Sequence, residues 1–494
     1  MEYFNWGENM KLQKHHIVLL LLAALLLGFA GAYAGVSLAQ LGADNEQEQT
    51  TSQLDQPIQG NGKPPAKIQK VARTYNLIKE NYLEDVQDKQ LIEGAIQGMI
   101  ASLEDPYSSY LDAEMMKNFN NTIESSFEGI GAEVSKVDGK VTIVSPIKDS
   151  PAEKAGLRPN DQILRVGGES VAGLNLQEAV QKIRGKKGTE VVLKIQRDGV
   201  SEPFEVTLVR DDIPVETVYS EVKTIDGKKT GVIEITSFAE NTAEHFSKQL
   251  KKLEDKGIEG LVIDVRGNPG GVLIAVEKIL KNFIPDDIPY VQIEDQNGQI
   301  SKSYSNLDEK KPYPISVLIN EGSASASEIL AVAMKEVGYD VVGTKSFGKG
   351  TVQQALPLGD ESRIKLTFFK WLSPKGNWIH EKGVQPTIKE KQPSYYFTSP
   401  VQLDEPLGYN DTGDHVKNIQ VMLKGLGYEP GRTDGYFNRE TEAAVKSFQS
   451  EHGHKSTGKV DEKTAGQIET KVVEQIRAGK DDRQMEKALS ELYN

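Results

Sequence analysis

Residues 320–330 (NEGSASASEIL) and 343–353 (GTKSFGKGTVQ) are the two stretches that decide the fold of this 494-residue chain. An apolar run over residues 313–320 has the length of a strand, and apolar residues then recur at helical spacing from 325 to 337. The sequence therefore predicts a strand, a tight turn, and a helix that carries Ser325 at its N-terminus.

Local chemistry allows two interpretations of Ser325. The spacing of Ser325 and Glu328 fits a capping box, in which the two side chains satisfy backbone amides at the start of a helix. The surrounding residues are small, however, and a helix N-terminus offers amide groups and positive potential to an oxyanion. We therefore interpret Ser325 as a nucleophile, with Ser323 and Ser327 as weaker candidates in the same stretch.

The lysine of the second stretch fits the role of a base. Lys349 is flanked by glycines, and the sequence predicts that it lies on a strand among apolar and backbone groups. Burial disfavours the charged form of an amine and so lowers its pKa. Because a neutral amine accepts a proton, the pattern predicts a hydrolase with a Ser/Lys dyad.

Other catalytic chemistries have less support. Five of the seven histidines fall outside the region around the serine stretch. The other two are His245, on the flank of a predicted helix, and His380, in a predicted strand, so a Ser/His/Asp triad is the weaker alternative. The chain has no cysteine and no HExxH motif, and we predict neither a metal site nor a cofactor.

A glycine-rich segment follows a second apolar strand. The strand covers residues 260–265, and the sequence RGNPGG follows at 266–271. Such a turn lets backbone amides approach a ligand closely. From spacing alone it fits an ordinary connection between a strand and a helix equally well.

Taken in order, these motifs resemble the carboxy-terminal processing peptidases, the tail-specific protease family, from about residue 67 to 388. The resemblance implies an α/β multidomain protein with a βαβ, crotonase-like serine protease core at residues 212–392. It assigns the nucleophile to Ser325 and the general base to Lys349, with Gln353 helping to hold the base.

The same resemblance implies an oxyanion hole. One amide comes from Ala326, the residue after the nucleophile, and the other from Gly270 or Gly271 in the glycine-rich turn.

The beginning of the chain predicts a place in the cell envelope. Residues 17–39 carry no charge and are long enough to span a bilayer, with lysines before them and acidic residues after them. We expect residues 1–40 to form a single membrane anchor with the catalytic part outside the cytoplasm. A cleaved signal peptide is the alternative. Residues 41–65 read as a flexible linker, and the lack of cysteine suits an oxidising exterior.

Two further modules precede the protease core. Residues 66–121 have a helical pattern, and in the family this region joins two subunits, so the resemblance implies a homodimer. Residues 122–211 resemble a PDZ domain, which binds the carboxy terminus of another chain as an added strand. Its carboxylate-binding loop is then formed by Gly129, Ile130, Gly131 and Ala132, and Arg184 stands where a gating arginine would lie.

Residues 400–468 resemble a three-helix peptidoglycan-binding domain, and 469–494 form a charged helical tail to which we assign no role. A net charge of −14 disfavours nucleic acid as a partner. The sequence thus predicts an envelope endopeptidase that acts on proteins with exposed apolar carboxy termini. The alternatives are a non-enzymatic scaffold tethered to the wall, and a different acyl hydrolase on the same fold.

Overall fold

A computed structural model describes residues 66–494, apart from positions 125, 138, 148–149, 159, 198–199, 201, 400, 402 and 404. Within that part of the chain, no helix has both the length and the apolar character needed to cross a bilayer. The predicted anchor or signal peptide at 1–40 and the linker at 41–65 lie outside the described residues. Strands are numbered β1 to β19 and α-helices α1 to α12 in chain order.

The chain begins with a helical segment after a short 3₁₀ turn, Ala66–Ile68. None of the side chains of the first helix is buried. The elements are α1 (Gln69–Asn81), α2 (Asp88–Ala101), β1 (Ser109–Leu111) and α3 (Ala113–Glu124).

The next elements form a PDZ domain. Its sheet has the strand order β3-β4-β5-β7-β8, with β6 beside β5, while β2 and β9 pair separately. An apolar core fixes helix α5 against this sheet. The elements are β2 (Ser126–Gly129), β3 (Ala132–Val137), β4 (Lys140–Pro146), α4 (Pro151–Lys154), β5 (Gln162–Val166), β6 (Glu169–Ser170), α5 (Leu176–Ile183), β7 (Glu190–Gln196), β8 (Phe204–Val209) and β9 (Asp211–Pro214).

The protease core is built on a six-stranded sheet of order β10-β11-β12-β15-β16-β19, parallel except for the β10–β11 pair. A five-stranded antiparallel sheet, β1-β18-β13-β14 with β17 on β18, packs beside it. The elements are β10 (Val218–Ile225), β11 (Lys228–Ile235), α6 (Thr242–Asp255), β12 (Gly260–Asp264), α7 (Leu273–Leu280), β13 (Val291–Glu294), β14 (Ile300–Ser303), β15 (Ile315–Ile319), α8 (Ala326–Glu336), β16 (Asp340–Gly343), β17 (Thr351–Pro357), β18 (Arg363–Leu372) and β19 (Ile388–Lys389).

Strand β12 shows why the central sheet must be covered on both faces. All five of its residues are buried, as expected for a parallel strand with helices on either side. Leu261 and Ile263 belong to the large core beneath α6, α7 and α8, whereas Val262 points into a second cluster on the opposite face. The alternation of side chains along a strand produces this division.

A helical domain follows a 3₁₀ turn at Ser394–Phe397. Its three helices are α9 (Asp414–Gly425), α10 (Arg439–Glu451) and α11 (Glu462–Arg477), which enclose their own apolar core. Residue 469 lies inside α11, and the last helix, α12 (Arg483–Glu491), returns to the protease sheet. The predicted α/β multidomain fold with a PDZ domain, a protease core and a helical third domain is confirmed for the described residues.

Candidate active site

The two motifs that the sequence singled out follow neighbouring strands. Strands β12 and β15 pair in parallel, so their carboxyl ends meet at one edge of the sheet. The glycine-rich turn at 266–271 follows β12, and the turn carrying Ser325 follows β15. Crevices at the carboxyl ends of parallel strands are the usual place for ligand sites in such sheets.

Backbone and hydroxyl hydrogen bonds lock the two turns together. The Ala324 N–H donates to the Asn268 carbonyl at 3.0 Å, and the Ser327 hydroxyl donates to the same oxygen at 2.9 Å. The Ser323 hydroxyl donates to the Val265 carbonyl at 2.8 Å. Any movement of the glycine-rich turn must therefore disturb the turn that carries the candidate nucleophile.

Ser325 differs from the two other candidate serines. Ser323 and Ser327 are both 0% exposed, and each hydroxyl donates a hydrogen bond to a backbone carbonyl of the segment 265–268. Ser325 is only partly buried and has φ +55°, an unusual conformation for a residue with a side chain. Backbone strain of this kind costs about 1–3 kcal/mol and clusters at functional sites. These observations favour Ser325 over its neighbours.

Glu328 joins the serine turn to the lysine loop. Its carboxylate is fully buried and accepts four hydrogen bonds, and only the one from the Ser325 N–H, at 2.9 Å, is predicted by the capping-box spacing. The other donors are the Ser346 hydroxyl at 2.5 Å, the Gly348 N–H at 2.6 Å and the Lys349 N–H at 2.7 Å. Four converging donors call for an acceptor without protons of its own, which is what an ionised carboxylate offers.

Lys349 lies in the loop just before β17, so the prediction that it sits on a strand is wrong. Aromatic side chains hold this loop, since the Trp371 indole N–H donates to the Lys349 carbonyl at 2.9 Å and the Trp378 indole N–H donates to the Gly350 carbonyl at 2.8 Å. His380 lies in a turn rather than in the predicted strand, and its Nδ1 accepts the Gly350 N–H at 3.2 Å. His380 therefore supports the backbone of the lysine loop.

The Lys349 side chain lies in an environment that disfavours its charge. Burial lowers the pKa of Lys349, and the nearby charge of Lys365 lowers it further, while Asp105 and Glu328 act in the opposite direction. Its Nζ lies 5.0 Å from the centroid of the Tyr107 ring. Tyr107 and Asp105 come from the segment before β1, for which no motif predicts a role in the site.

Gln353 lies at a β-bulge in the strand that follows Lys349. Its side-chain amide donates to the Thr351 hydroxyl at 2.9 Å and to the Thr367 hydroxyl at 3.0 Å. Thr367 in turn donates to Asp105 at 2.7 Å. The glutamine is thus linked through a hydroxyl to one of the carboxylates that act on the pKa of Lys349.

The predicted oxyanion-hole residues lie side by side. A Cβ placed on Gly270 would lie 2.8 Å from the Ser325 Cβ and 3.0 Å from the Ala326 nitrogen, so only glycine allows this approach. The Gly270 N–H donates to the Asn268 side chain at 2.8 Å. An isolated parallel bridge pairs Gly271 with Phe238, and its two hydrogen bonds run from the Phe238 N–H to the Gly270 carbonyl and from the Val272 N–H to the Phe238 carbonyl, so neither uses the Gly271 N–H. Ala326 is the first residue of α8, where amides lack partners within the helix.

The predicted carboxylate loop of the PDZ domain lies between β2 and β3 and is firmly held. Ile130 is buried, and Gly131 has φ +73° with so little space that a Cβ would lie 2.3 Å from the Ser150 Cβ. Strand β3 is an edge strand of its sheet. The Arg184 guanidinium lies 4.9 Å above the Phe127 ring, directly before the loop.

Fold and site together define a class. A partly exposed serine on a strained strand-to-helix turn stands beside a glycine-rich turn, and a buried glutamate connects it to a lysine of lowered pKa. This is an arrangement suited to acyl transfer, which makes the chain a serine-type hydrolase.

Comparison with known proteins identifies the family. A model of peptidase family S41 matches residues 229–390, and a PDZ domain model matches 142–197. A peptidoglycan-binding domain model matches 412–468, and one for the N-terminal domain of the activating protease CtpB matches 25–115. This chain belongs to the S41 family of carboxy-terminal processing proteases.

Two relatives from Bacillus subtilis (strain 168) resemble nearly the whole chain. Carboxy-terminal processing protease CtpB is 50% identical over 471 residues, covering 95% of this chain and 97% of the relative. Carboxy-terminal processing protease CtpA is 43% identical over 430 residues, covering 86% of this chain and 90% of the relative. The predictions of the family and of a serine-type peptidase are confirmed.

Proposed function

We propose that this protein is an endopeptidase of the cell envelope that recognises carboxy termini through its PDZ domain and cleaves with a Ser325/Lys349 dyad. The observation that carries the proposal is the Glu328 bridge, which ties the backbone of Ser325 to that of Lys349. A membrane position through residues 17–39 remains part of the proposal and lies outside the described residues.

The chemistry follows from the site. Neutral Lys349 removes the proton from the Ser325 hydroxyl as its oxygen attacks the scissile carbonyl. The amides of Ala326 and Gly271 donate to the resulting oxyanion. Lys349 then returns the proton to the leaving amine, and water hydrolyses the acyl-enzyme with the lysine again acting as base. Gln353 steadies Asp105 through Thr367 and thereby the surroundings of the lysine.

The PDZ domain supplies the proposed recognition. An extended peptide pairs with the free edge of β3, and amides of the loop from Gly129 to Ala132 bind its terminal carboxylate. Apolar side chains near that terminus enter the space between β3 and α5. The Arg184 guanidinium contacts the Phe127 ring just before this loop. This position supports its proposed role as a residue that gates the protease.

Two binding functions complete the proposal. The three-helix domain binds peptidoglycan, as the matching family model indicates. The lead-in helices join two copies of the chain, because apolar side chains on them are exposed and a second copy would cover them. These exposed residues include Val71, Leu77, Ile92, Met99 and Leu103.

Proteolysis tests the proposal directly. Protein lacking residues 1–44 is incubated with an unfolded substrate that ends in an apolar sequence, beside Ser325→Ala and Lys349→Ala. Cleavage by the parent alone supports the dyad, and its loss when the substrate terminus is amidated supports recognition by the PDZ domain. Cleavage by the Lys349→Ala variant would exclude Lys349 as the general base. Absence of cleavage by the parent under all conditions would favour the scaffold.

A further inference from the structure

The carboxy-terminal segment is part of the protease core. Helix α12 lies against the face of the central sheet opposite α6, α7 and α8, where it covers one residue from each of four neighbouring strands. The helix contributes Met485, Ala488 and Leu489, its C-cap contributes Leu492, and the sheet contributes Val232, Val262, Leu318 and Val342. The spacing of the helical residues places them on one face of α12. Along the sequence, the helical third domain therefore lies between two segments that both belong to the protease core.

The sheet is shaped to receive this segment. A Cβ on Gly260 would lie 2.6 Å from the Tyr493 hydroxyl and 2.7 Å from a Leu492 methyl, so the two side chains of the chain end pack directly on the glycine and would have to shift for a larger residue. The Tyr493 hydroxyl also lies 2.6 Å from that of Thr230. This close packing fixes the position of α12 relative to β12, the strand that leads into the glycine-rich turn.

An ion pair extends from α12 to that turn. Asp482, the N-cap of α12, accepts from Arg266 Nη1 at 2.7 Å and from Nη2 at 2.8 Å. Asp264 accepts from Nε and Nη2 of the same guanidinium at 2.9 Å and 2.6 Å. Arg266 is 14% exposed and Asp482 is 16% exposed, so water screens these charges only weakly. The paired charges raise the pKa of Arg266 and lower that of Asp482.

Arg266 is the first residue of the glycine-rich turn that places Gly270 beside Ser325. Asp264 bonds one edge of the Arg266 guanidinium, and Asp482 bonds another. With both carboxylates in place, the orientation of the guanidinium is fixed, and with it the backbone at the start of the turn. The Gly267 N–H, one residue later, donates to the Asn320 side chain at the end of β15. The position of Arg266 is thus transmitted to both turns of the site.

We propose that Asp482 is a positioning residue for hydrolysis, which acts through Arg266 to set the oxyanion turn; this inference rests on the proposed function. The carboxy-terminal segment then supports catalysis by holding Arg266 in place. In the sequence, the helical third domain separates this segment from the rest of the protease core. Because an interaction that acts only on the oxyanion is felt in the transition state, its loss lowers kcat and leaves KM nearly unchanged.

The test compares three variants with the parent in the complete chain lacking only residues 1–44. Asp482→Asn keeps an N-cap and a side chain of the same shape but removes the charge facing Arg266. Asp482→Glu restores the charge. Glu491→Gln is the control, because it removes a carboxylate from the same helix whose ionic partner is Lys487 on that helix. Kinetics on a peptide substrate, inhibition by a peptide aldehyde that forms a tetrahedral adduct, and thermal unfolding are measured for each.

Asp482→Asn is expected to lower kcat about tenfold with KM changed less than about twofold, and to weaken aldehyde inhibition in parallel, since small displacements of catalytic groups are costly. Asp482→Glu is expected to recover part of the loss, and Glu491→Gln to behave as the parent. The double variant Arg266→Gln/Asp482→Asn should be no slower than Arg266→Gln alone, because Asp482 acts through Arg266.

Three results would overturn the inference: an unchanged kcat in folded Asp482→Asn, an equal loss in Glu491→Gln, or fully additive losses in the double variant. If Asp482→Asn does not fold, Asp482→Glu decides by the same kcat and aldehyde measurements, which must then show an intermediate loss. Failure of the proposed function is seen separately, as a parent protein no more active than Ser325→Ala.

Discussion

Replacing Glu328 by glutamine should disconnect the serine turn from the lysine loop. Each carboxylate oxygen accepts two hydrogen bonds: Oε2 from the Ser325 and Lys349 amides, and Oε1 from Ser346 and Gly348. In glutamine one of these oxygens becomes an NH₂ group, which faces two donors and can accept from neither. Ser346 has little freedom to adapt, because its hydroxyl also accepts the Val384 N–H at 2.6 Å.

The magnitude follows from the number of bonds lost. Hydrogen bonds to charged groups contribute about 1.5–3 kcal/mol each, so losing two costs about 3–6 kcal/mol. If roughly half of that loss is felt at the transition state, about 1.5–3 kcal/mol, kcat falls by about ten- to a hundred-and-fiftyfold. The remainder should appear as a lower free energy of unfolding.

The assay is steady-state hydrolysis of a fluorogenic peptide, with thermal unfolding of each variant measured beside it. Glu336→Gln is the matched control, because Glu336 lies on the same helix and accepts three hydrogen bonds from the turn at 373–377, away from Ser325. Glu336→Gln should lose stability and keep its kcat. A Glu328→Gln enzyme with the kcat of the parent would refute the bridge as a catalytic device.

Three further predictions concern charge, packing and backbone. Lys365→Gln removes a positive charge that lowers the pKa of Lys349, so that pKa should rise. Because only neutral Lys349 accepts a proton, activity increases with pH through this pKa, and the rising limb of the pH–kcat profile should move to higher pH. A shift to lower pH would contradict Lys349 as the base. Leu489→Ala, in the α12 cluster, should lower the free energy of unfolding by about 2–5 kcal/mol in a urea titration, and a loss near zero would show that α12 is not docked. Gly271→Ala should abolish hydrolysis while PDZ peptide binding stays intact, since its Cβ would lie 2.0 Å from the Phe238 carbonyl oxygen; a fully active variant would exclude this turn from the site.

Features set by short-range patterns were predictable from the sequence. The strand before Ser325, the helix after it and the glycine-rich turn all follow from apolar spacing and glycine placement over a few residues. The sequence pattern wrongly predicts a strand at Lys349, because the contacts that stabilise this loop are not local. Gly348 has φ +103°, which suits a loop, and Trp371 and Trp378 hold the backbone from more than twenty residues away.

Long-range partners were beyond the reach of pattern analysis. Asp105 bonds Thr367 across 262 positions, and Asp482 bonds Arg266 across 216 positions. Nothing in the sequence around these residues predicts which distant residue each of them bonds. The apolar face of α12 is visible in the sequence at 485, 488, 489 and 492, but the sheet face that it covers is not.

Covalent labelling shows which serine is the nucleophile and whether Lys349 activates it. The parent and Lys349→Met are treated with a fluorophosphonate at several pH values, and the modified peptide is identified by mass spectrometry. We expect one adduct on Ser325, formed faster as pH rises, and almost none in Lys349→Met. An adduct on Ser323 or Ser327, or equal labelling of Ser325 without the lysine, would contradict this expectation.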